Sequence, residues 1–411
     1  MVPDRISRPY ALLLLPPPPS PTVRALQETY RPALSHIFAD LCRILNGVGI
    51  LDVSLAIPGA LSPKYCPRAK VFASLQRLLA NFYTVVAAIS AAEKIELNGP
   101  SGLDIRVFFI DYDPTREAQS SVTSPAFGPQ GPIITLPTLA ASGRAWDYLY
   151  TLDTEAGRQL AATFSGDLSA GNKALVPMET RTAPGGDLIG SSEDLVVPSD
   201  GDLMSHYSVA VGGTFDHLHV GHKLLLTATA LAIDPLPDRE TEEGALLTVG
   251  ITGDELLVRK QYSQFLESWE ERRQSTAAFL TSVIDFTPPA DRLAGLQRAS
   301  APGLDGTWVL MRINPDLALK FVQLSDPFGP TVTDERITAL VVSQETRSGG
   351  RAVNEERARK GWAHLELFEV DVLHAEEVEP TAMSSPQTFE AKISSTEIRR
   401  HRMELAKGTP L

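Results

Sequence analysis

The sequence predicts an α/β protein of two units, and three observations carry that expectation. Short apolar runs rich in Leu, Val and Ile alternate along the chain with stretches of helical spacing, the pattern of strands crossed over by helices. A segment rich in Gly, Ser, Asp and Pro, residues 165–204, separates two such series. The chain has 411 residues, too many for one ordinary domain. The expected division is an N-terminal α/β domain of unknown role over 1–164, a flexible linker over 165–204, and a second α/β domain with a doubly wound parallel sheet over 205–411.

Residues 9–15 (PYALLLL) read as a buried strand stopped by Pro16–Pro19, since proline has no N–H to give a ladder. Thr22–Leu45 repeats apolar residues at helical spacing, through Leu26, Tyr30, Leu34, Ile37, Phe38 and Leu41. Ile50–Ile57 reads as a second strand, Ala69–Lys94 as a long apolar helix, and Gly102–Ile110 as a third strand. Trp146–Phe164 is expected to be a last helix, so the first sheet is expected to be partly parallel. Its proline run is expected to be a rigid loop, and its general layout resembles the N-terminal region of bifunctional coenzyme A synthase.

From Ser205 the alternation resumes. Strands are expected at Val209–Val211, Leu246–Thr252, Trp308–Ile313, Ala339–Ser343 and Leu365–Val372. Helices are expected from the turn after Val211 through Ala232, and at Glu267–Phe286, Gly350–Lys360 and Ser394–Ala406. In such a sheet, ligands bind beyond the carboxyl ends of the strands.

Composition narrows the function. A hydrophobic share of 43% with 21% charged residues is that of a globular protein with real cores. The formal net charge of −13 argues against a general binder of nucleic acid or of anionic membranes. Cys42 and Cys66 are the two cysteines, too few for a disulfide scaffold, which suits a reducing compartment. The apolar stretch Ala11–Leu15 is too short for a signal peptide or a membrane span. A cytoplasmic location is expected.

Chemistry concentrates in Val209–Leu226, VAVGGTFDHLHVGHKLLL. A buried strand breaks at Gly212 and Gly213 and restarts as a helix, which aims backbone N–H groups at whatever occupies the turn. His219 and His222 stand three apart near the helix start and share a face. Each ring can donate to a phosphate oxygen and supply partial positive charge. Without a third ligand nearby, a metal pair is not expected from them.

GGTFDHLHVGHK resembles the HxGH signature of the nucleotidyltransferase superfamily, and in particular the eukaryotic and archaeal phosphopantetheine adenylyltransferases. The resemblance covers about residues 205–411 and implies that this half is a nucleotidyltransferase domain. It also implies transfer of AMP from ATP to 4′-phosphopantetheine, with Mg²⁺, giving dephospho-CoA and pyrophosphate. By the resemblance His222 is the main transition-state donor, His219 helps hold the triphosphate, and Thr214 bonds phosphate near the forming bond. Gly212, Gly213, Phe215 and Gly221 belong to the same phosphate-binding turn, and Asp216 is placed with the substrate.

Three later segments fit the family's order. Thr252-Gly253-Asp254 ends a strand and is followed by Arg259-Lys260; Lys260 matches the lysine that reaches the reacting phosphates. Leu324–Pro330 (LSDPFGP) resembles the Asp-Pro-x-Gly-Pro loop, with Asp326 shaping the substrate pocket. Ser343–Asn354 (SQETRSGGRAVN) resembles the SxET…GG…xN segment. The family often has an arginine directly before the two glycines, whereas Ser348 stands there, so Arg347 and Arg351 are both left as candidates for phosphate.

Ile393–Arg400 (ISSTEIRR) resembles the ISSTxIR motif that grips the ATP phosphates, through Ser394, Ser395, Thr396 and Arg399. Ser394 and Glu397 also have the spacing of a capping box that opens a helix. Hydroxyls, guanidinium and helix dipole all favour an anion there. A P-loop, GxxxxGK[ST], occurs nowhere in the sequence, so the kinase activity of the bifunctional enzyme is not expected.

The expected mechanism is direct in-line attack by the ionised 4′-phosphate on the α-phosphorus of ATP, driven by alignment and electrostatic stabilisation. Partners implied are ATP and 4′-phosphopantetheine, with room for association with other enzymes of coenzyme A synthesis, and with neither nucleic acid nor membrane. The rivals are adenylyl transfer to nicotinamide mononucleotide, cytidylyl transfer, and a non-catalytic nucleotide-binding scaffold. Cytidylyltransferases usually carry Arg-Thr-x-Gly-Ile-Ser-Thr, whereas Ala391-Lys392-Ile393 precedes the serines here.

Overall fold

The computed structural model describes residues 10–44, 49–97, 102–114, 128, 130–170, 178–186, 194–236, 244–292, 298–303, 306–373 and 394–407. The chain is α/β, with two sheets. The first is built from β1 (Tyr10–Leu15), β2 (Gly49–Ala56), β3 (Leu103–Asp111), β4 (Ile133–Thr135), β5 (Tyr148–Leu152) and β6 (Glu179–Ala183). Their order is β4-β3-β2-β1-β5-β6, and every pairing is parallel. The first sheet is therefore more regular than the partly parallel one expected.

Helices α1 (Val23–Ile44), α2 (Phe72–Ala92), α3 (Leu136–Ala141) and α4 (Glu155–Ala170) connect these strands. Two expectations change. The helix expected over Trp146–Phe164 divides into β5 and α4, because Tyr148–Leu152 (YLYTL) is rich in aromatic and apolar residues, with β-branched Thr151, that the sheet interior takes up. The expected linker 165–204 also supplies structure: it holds the end of α4 and all of β6, which pairs with β5 from Tyr148↔Glu179 to Leu152↔Ala183. Residues 171–177 and 187–193 of that segment lie outside the described residues.

α2 is apolar on nearly every face for a packing reason. It lies between α1 and α5 (Val220–Leu231) of the second half, so most of its circumference is buried. One continuous buried cluster runs through Leu26 of α1, Phe82 and Val86 of α2 and Leu224 of α5. The two sheets thus share a core.

The second sheet contains β7 (Ser208–Gly213), β8 (Ala245–Thr252), β9 (Arg298–Gly303), β10 (Gly306–Asn314), β11 (Leu317–Leu324), β12 (Ala339–Ser343) and β13 (Glu366–Val370). Their order is β13-β12-β7-β8-β11-β10-β9. Five strands from β13 to β11 are parallel. The expected parallel sheet carries an antiparallel addition at the other edge, where β9, β10 and β11 form a meander. β11 had no sequence assignment because only two residues separate it from β10.

Helices α6 (Trp269–Ile284), α7 (Arg347–Arg359) and α8 (Ser395–Ala406) complete this half. α6 opens on a full capping box between Ser268 and Glu271. Its far end docks on the first half, where Arg144 Nη2 donates to the carbonyls of Ser282 (2.5 Å) and Asp285 (3.0 Å). The same guanidinium reaches buried Asp52 at 2.8 Å and stacks 4.0 Å from the centre of the Phe286 ring.

Candidate active site

The carboxyl ends of β7, β8, β11, β12 and β13 border one cleft of about 1120 Å³. It lies where the strand order reverses, since β7 has its chain successor β8 on one side and the much later β12 on the other. Such a point leaves a crevice between connections that depart to opposite sides of the sheet.

The turn after β7 is its floor. Phe215 and His217 both have positive φ, +51° and +46°, which non-glycine residues adopt only when held there. What holds them is visible. A Cβ on Gly213 would lie 2.9 Å from the Phe215 ring, so the ring needs a glycine at that position to fold beneath the turn. Arg272 of α6, fully buried, donates to the carbonyls of Thr214 (2.7 Å), Thr252 (2.9 Å) and Glu267 (3.0 Å) and to Asp254 (2.5 Å). His217 N donates to Glu267 at 2.8 Å, and Thr252 Oγ1 donates to Gly213 O at 3.2 Å.

His219 is the N-cap of α5, its Nδ1 accepting from His222 N at 3.4 Å. The two rings stack, with centroids 3.8 Å apart and planes 19° from parallel. Burial pushes both imidazoles toward the neutral form, His222 to about 3 and His219 well below its usual value. The neighbouring imidazole and Lys223 push His219 further the same way, while Glu267 opposes part of the effect on His222. At neutral pH these are uncharged rings, whose N–H donors carry the partial positive charge they can offer a phosphate oxygen. Nδ1 of His219 is an acceptor, so its neutral tautomer carries the proton on Nε2.

Opposite the turn stands the start of α8. Ser394 caps it, accepting from Glu397 N at 3.5 Å. Ser395 Oγ donates to Asp216 O at 2.8 Å. Arg399 donates to the Asp216 carboxylate, to Gln261 O (3.0 Å) and to Thr396 Oγ1 (3.1 Å). Ile393, with Ala391 and Lys392, lies outside the described residues.

Most residues singled out from sequence come together around this cleft. Gly212, Gly213, Thr214, Phe215, His219, Gly221, His222, Lys260, Asp326, Ser394, Ser395, Thr396 and Arg399 all line it. Three do not. Asp216 is wholly buried beneath the floor, shared between Arg399 and Glu267 N (3.0 Å). Arg347 turns outward to an ion pair with Glu369, and Arg351 is exposed on α7. Asp326 is occupied locally, accepting from Phe328 N (2.7 Å) and Gly329 N (2.9 Å), so it shapes its loop. Arg399, although at the cleft edge, is 2% exposed and spends its charge on Asp216.

Leu225, Leu256, Leu324 and Phe328 form an apolar wall, and Asp371 stands at the end of β13. Of these, Leu256 and Asp371 carried no motif. Among the described residues one set, Asp216, His217 and Glu267, has ligand atoms close enough to share a cation. Each oxygen of Asp216 already accepts a hydrogen bond, from Glu267 N and from Arg399, so the set reads as a structural strut.

Residues 1–187 match a family model described as a domain of unknown function (DUF8446). An uncharacterized protein of Schizosaccharomyces pombe is 37% identical over 48% of this chain and 48% of its own length. A phosphopantetheine adenylyltransferase of Saccharomyces cerevisiae is 31% identical over 51% of this chain and 52% of its own. The chain therefore spans about half the length of these two curated relatives. A phosphopantetheine adenylyltransferase of Pyrobaculum aerophilum is 30% identical, with 77% of its length covered by 39% of this chain. A solved structure of an Archaeoglobus fulgidus protein of unknown function covers 41% of this chain and all of its own, at 20% identity and a TM-score of 0.26.

Proposed function

This chain belongs to the phosphopantetheine adenylyltransferase family, and we propose that it transfers AMP from ATP to 4′-phosphopantetheine as an enzyme of the eukaryotic and archaeal type. The observation that carries the reading is the meeting of two helix N-termini over one cleft. The His219/His222 end of α5 and the Ser394/Ser395/Thr396 end of α8 both face the space beyond the strand ends. Backbone N–H groups, neutral imidazole N–H groups and hydroxyls converge there, which suits a polyphosphate. The apolar wall from Leu225 to Phe328 suits an uncharged arm beside it.

In this reading an oxygen of the 4′-phosphate attacks the α-phosphorus of ATP. The new P–O bond forms in line as the bond to the β-phosphate oxygen breaks, and pyrophosphate leaves with that electron pair. The nucleophile is already ionised, so no general base is required. His222 and His219 donate N–H to oxygens that gain charge in the five-coordinate state, and Lys260, which lines the cleft, is the cation assigned to the phosphates. Thr214 sits on the floor where the bond forms. Gly349 at the start of α7 leaves open space above it and admits a phosphate closely.

Mg²⁺ enters as part of the substrate, MgATP. Asp326 is committed to its own loop and Asp216 to Arg399, so these carboxylates leave the ion to the nucleotide's phosphates. We place the reaction in the cytoplasm and assign the adenylyl transfer to residues 205–411.

The deciding experiment measures pyrophosphate release with MgATP or MgCTP against 4′-phosphopantetheine, nicotinamide mononucleotide and glycerol 3-phosphate. Turnover restricted to ATP with 4′-phosphopantetheine is expected. Turnover with another pair would keep nucleotidyl transfer and discard this acceptor, and ATP binding without any turnover would leave a nucleotide-binding scaffold.

A further inference from the structure

We propose that Asp104, on β3 of the first sheet, is a positioning residue for this reaction, acting through Lys223 on the catalytic imidazoles; the inference rests on the adenylyl-transfer reading above. Lys223 directly follows His222 on the first turn of α5. Its ammonium leaves the cleft and enters the boundary between the two halves, with the side chain 4% exposed. There Nζ donates to Asp104 Oδ1 at 2.7 Å and to Ile105 O at 3.2 Å. Among the described residues both hydrogen-bond acceptors of this ammonium come from the first half, while the centre of the Phe279 ring of α6 lies 6.0 Å from it.

Asp104 is itself held on both sides. Its second oxygen accepts from Arg106 Nε (2.9 Å) and Nη2 (2.7 Å). Burial alone would push this carboxyl up, but Lys223 and Arg106 outweigh burial and hold it well below the carboxylate range. The result is an ionised, fixed acceptor in a strand that pairs with β2 from Leu103 to Ile110. A buried ammonium requires such a partner.

Consecutive residues project about 100° apart around a helix. Fixing Lys223 on β3 therefore fixes the rotation of the first turn of α5 about its axis. That rotation decides where the His222 ring points and whether it stacks on His219. A second contact works in the same sense on the opposite wall. Gln76 of α2 accepts from Asp371 N at 2.9 Å, where β13 ends in the cleft. The first half thus braces two elements of the cleft from behind without lining it.

The test compares full-length Asp104→Asn, Lys223→Gln and the double variant by kcat and KM with MgATP and 4′-phosphopantetheine, normalised to the folded fraction. Small misplacements of catalytic groups cost rate more than binding, so kcat should fall about tenfold in Asp104→Asn with both KM values little changed. Because the two residues act as a unit, the double variant should be no slower than Lys223→Gln alone. A kcat loss below threefold, or losses that multiply in the double variant, overturns the proposal. If the wild-type protein does not turn over this pair, the functional reading falls by itself. Positioning is then judged on the ring ¹⁵N signals of His219 and His222: displacement in Asp104→Asn sustains it, and unchanged signals overturn it.

Discussion

Arg399 forms a buried ion pair with Asp216, 183 residues earlier in the chain. Ser395 adds a hydrogen bond to the carbonyl of the same aspartate. The helix α8 is thereby fastened to the glycine turn, and the two walls of the cleft hold a fixed separation. Removing one member of a buried pair leaves an uncompensated charge, which costs about 3–5 kcal/mol. Arg399→Ala should therefore lower the denaturation midpoint sharply, and adding Asp216→Asn should recover part of the loss. If Arg399 instead acted on phosphate alone, Arg399→Ala would keep its stability and lose only ATP affinity, which equilibrium unfolding in urea distinguishes.

His222→Ala removes an N–H donor from the cleft without removing a capping side chain. The rate should drop about 10²–10³-fold, as for loss of one preorganised donor. Circular dichroism should be unchanged. His219→Ala should in addition cost about 1 kcal/mol, since His219 is the cap of α5. A near-normal rate for His222→Ala, in protein shown to be folded, would remove the imidazole from the reaction.

The fold class and the content of the cleft were legible in the sequence because both are written in local patterns. A strand breaking at Gly212-Gly213 and the hydroxyl run Ser394–Thr396 each announce a helix N-terminus, and two such ends must meet beyond the strand ends. What was not legible depends on distant partners. Arg399 looked like a phosphate ligand because nothing local shows that Asp216 will claim it. Arg347 looked equally suited until Glu369, on the neighbouring strand, took its charge. Arg272 gave no signal, sitting in WEERRQ as one more charged helix residue, although it braces three carbonyls around the floor. Tyr148–Leu152 was read as helix because its length and apolar content fit either state until the sheet selected one.

Both cleft histidines have depressed proton affinity, and the sign of the pH effect follows. The unfolded chain binds protons on these rings as pH falls below about 6.5, while the folded chain resists until about 3 at His222. Over that window the unfolded state holds more protons, so stability falls with falling pH, by up to about 1.4 kcal/mol per pH unit for each ring. Urea midpoints measured from pH 7 to 5 should decline, and the ring signals of His222 should stay in the neutral form throughout. A titration of His222 centred near pH 6.5 would contradict the buried, stacked arrangement.

Arg272→Lys tests how the strained turn is kept in place. One guanidinium satisfies the carbonyls of Thr214, Thr252 and Glu267 together with Asp254. An ammonium on a shorter, unforked stem cannot span them. Some of these carbonyls would be left buried and unpaired, at about 1–3 kcal/mol for each. The positive φ of Phe215 and His217 would lose its restraint, and Thr214 would be free to shift on the cleft floor. The variant should lose at least about 2 kcal/mol of stability and, at temperatures where it stays folded, at least about tenfold in kcat. Loss of stability with kcat intact would show that the turn holds its shape without Arg272 and that its geometry is set by the Gly213–Phe215 contact alone.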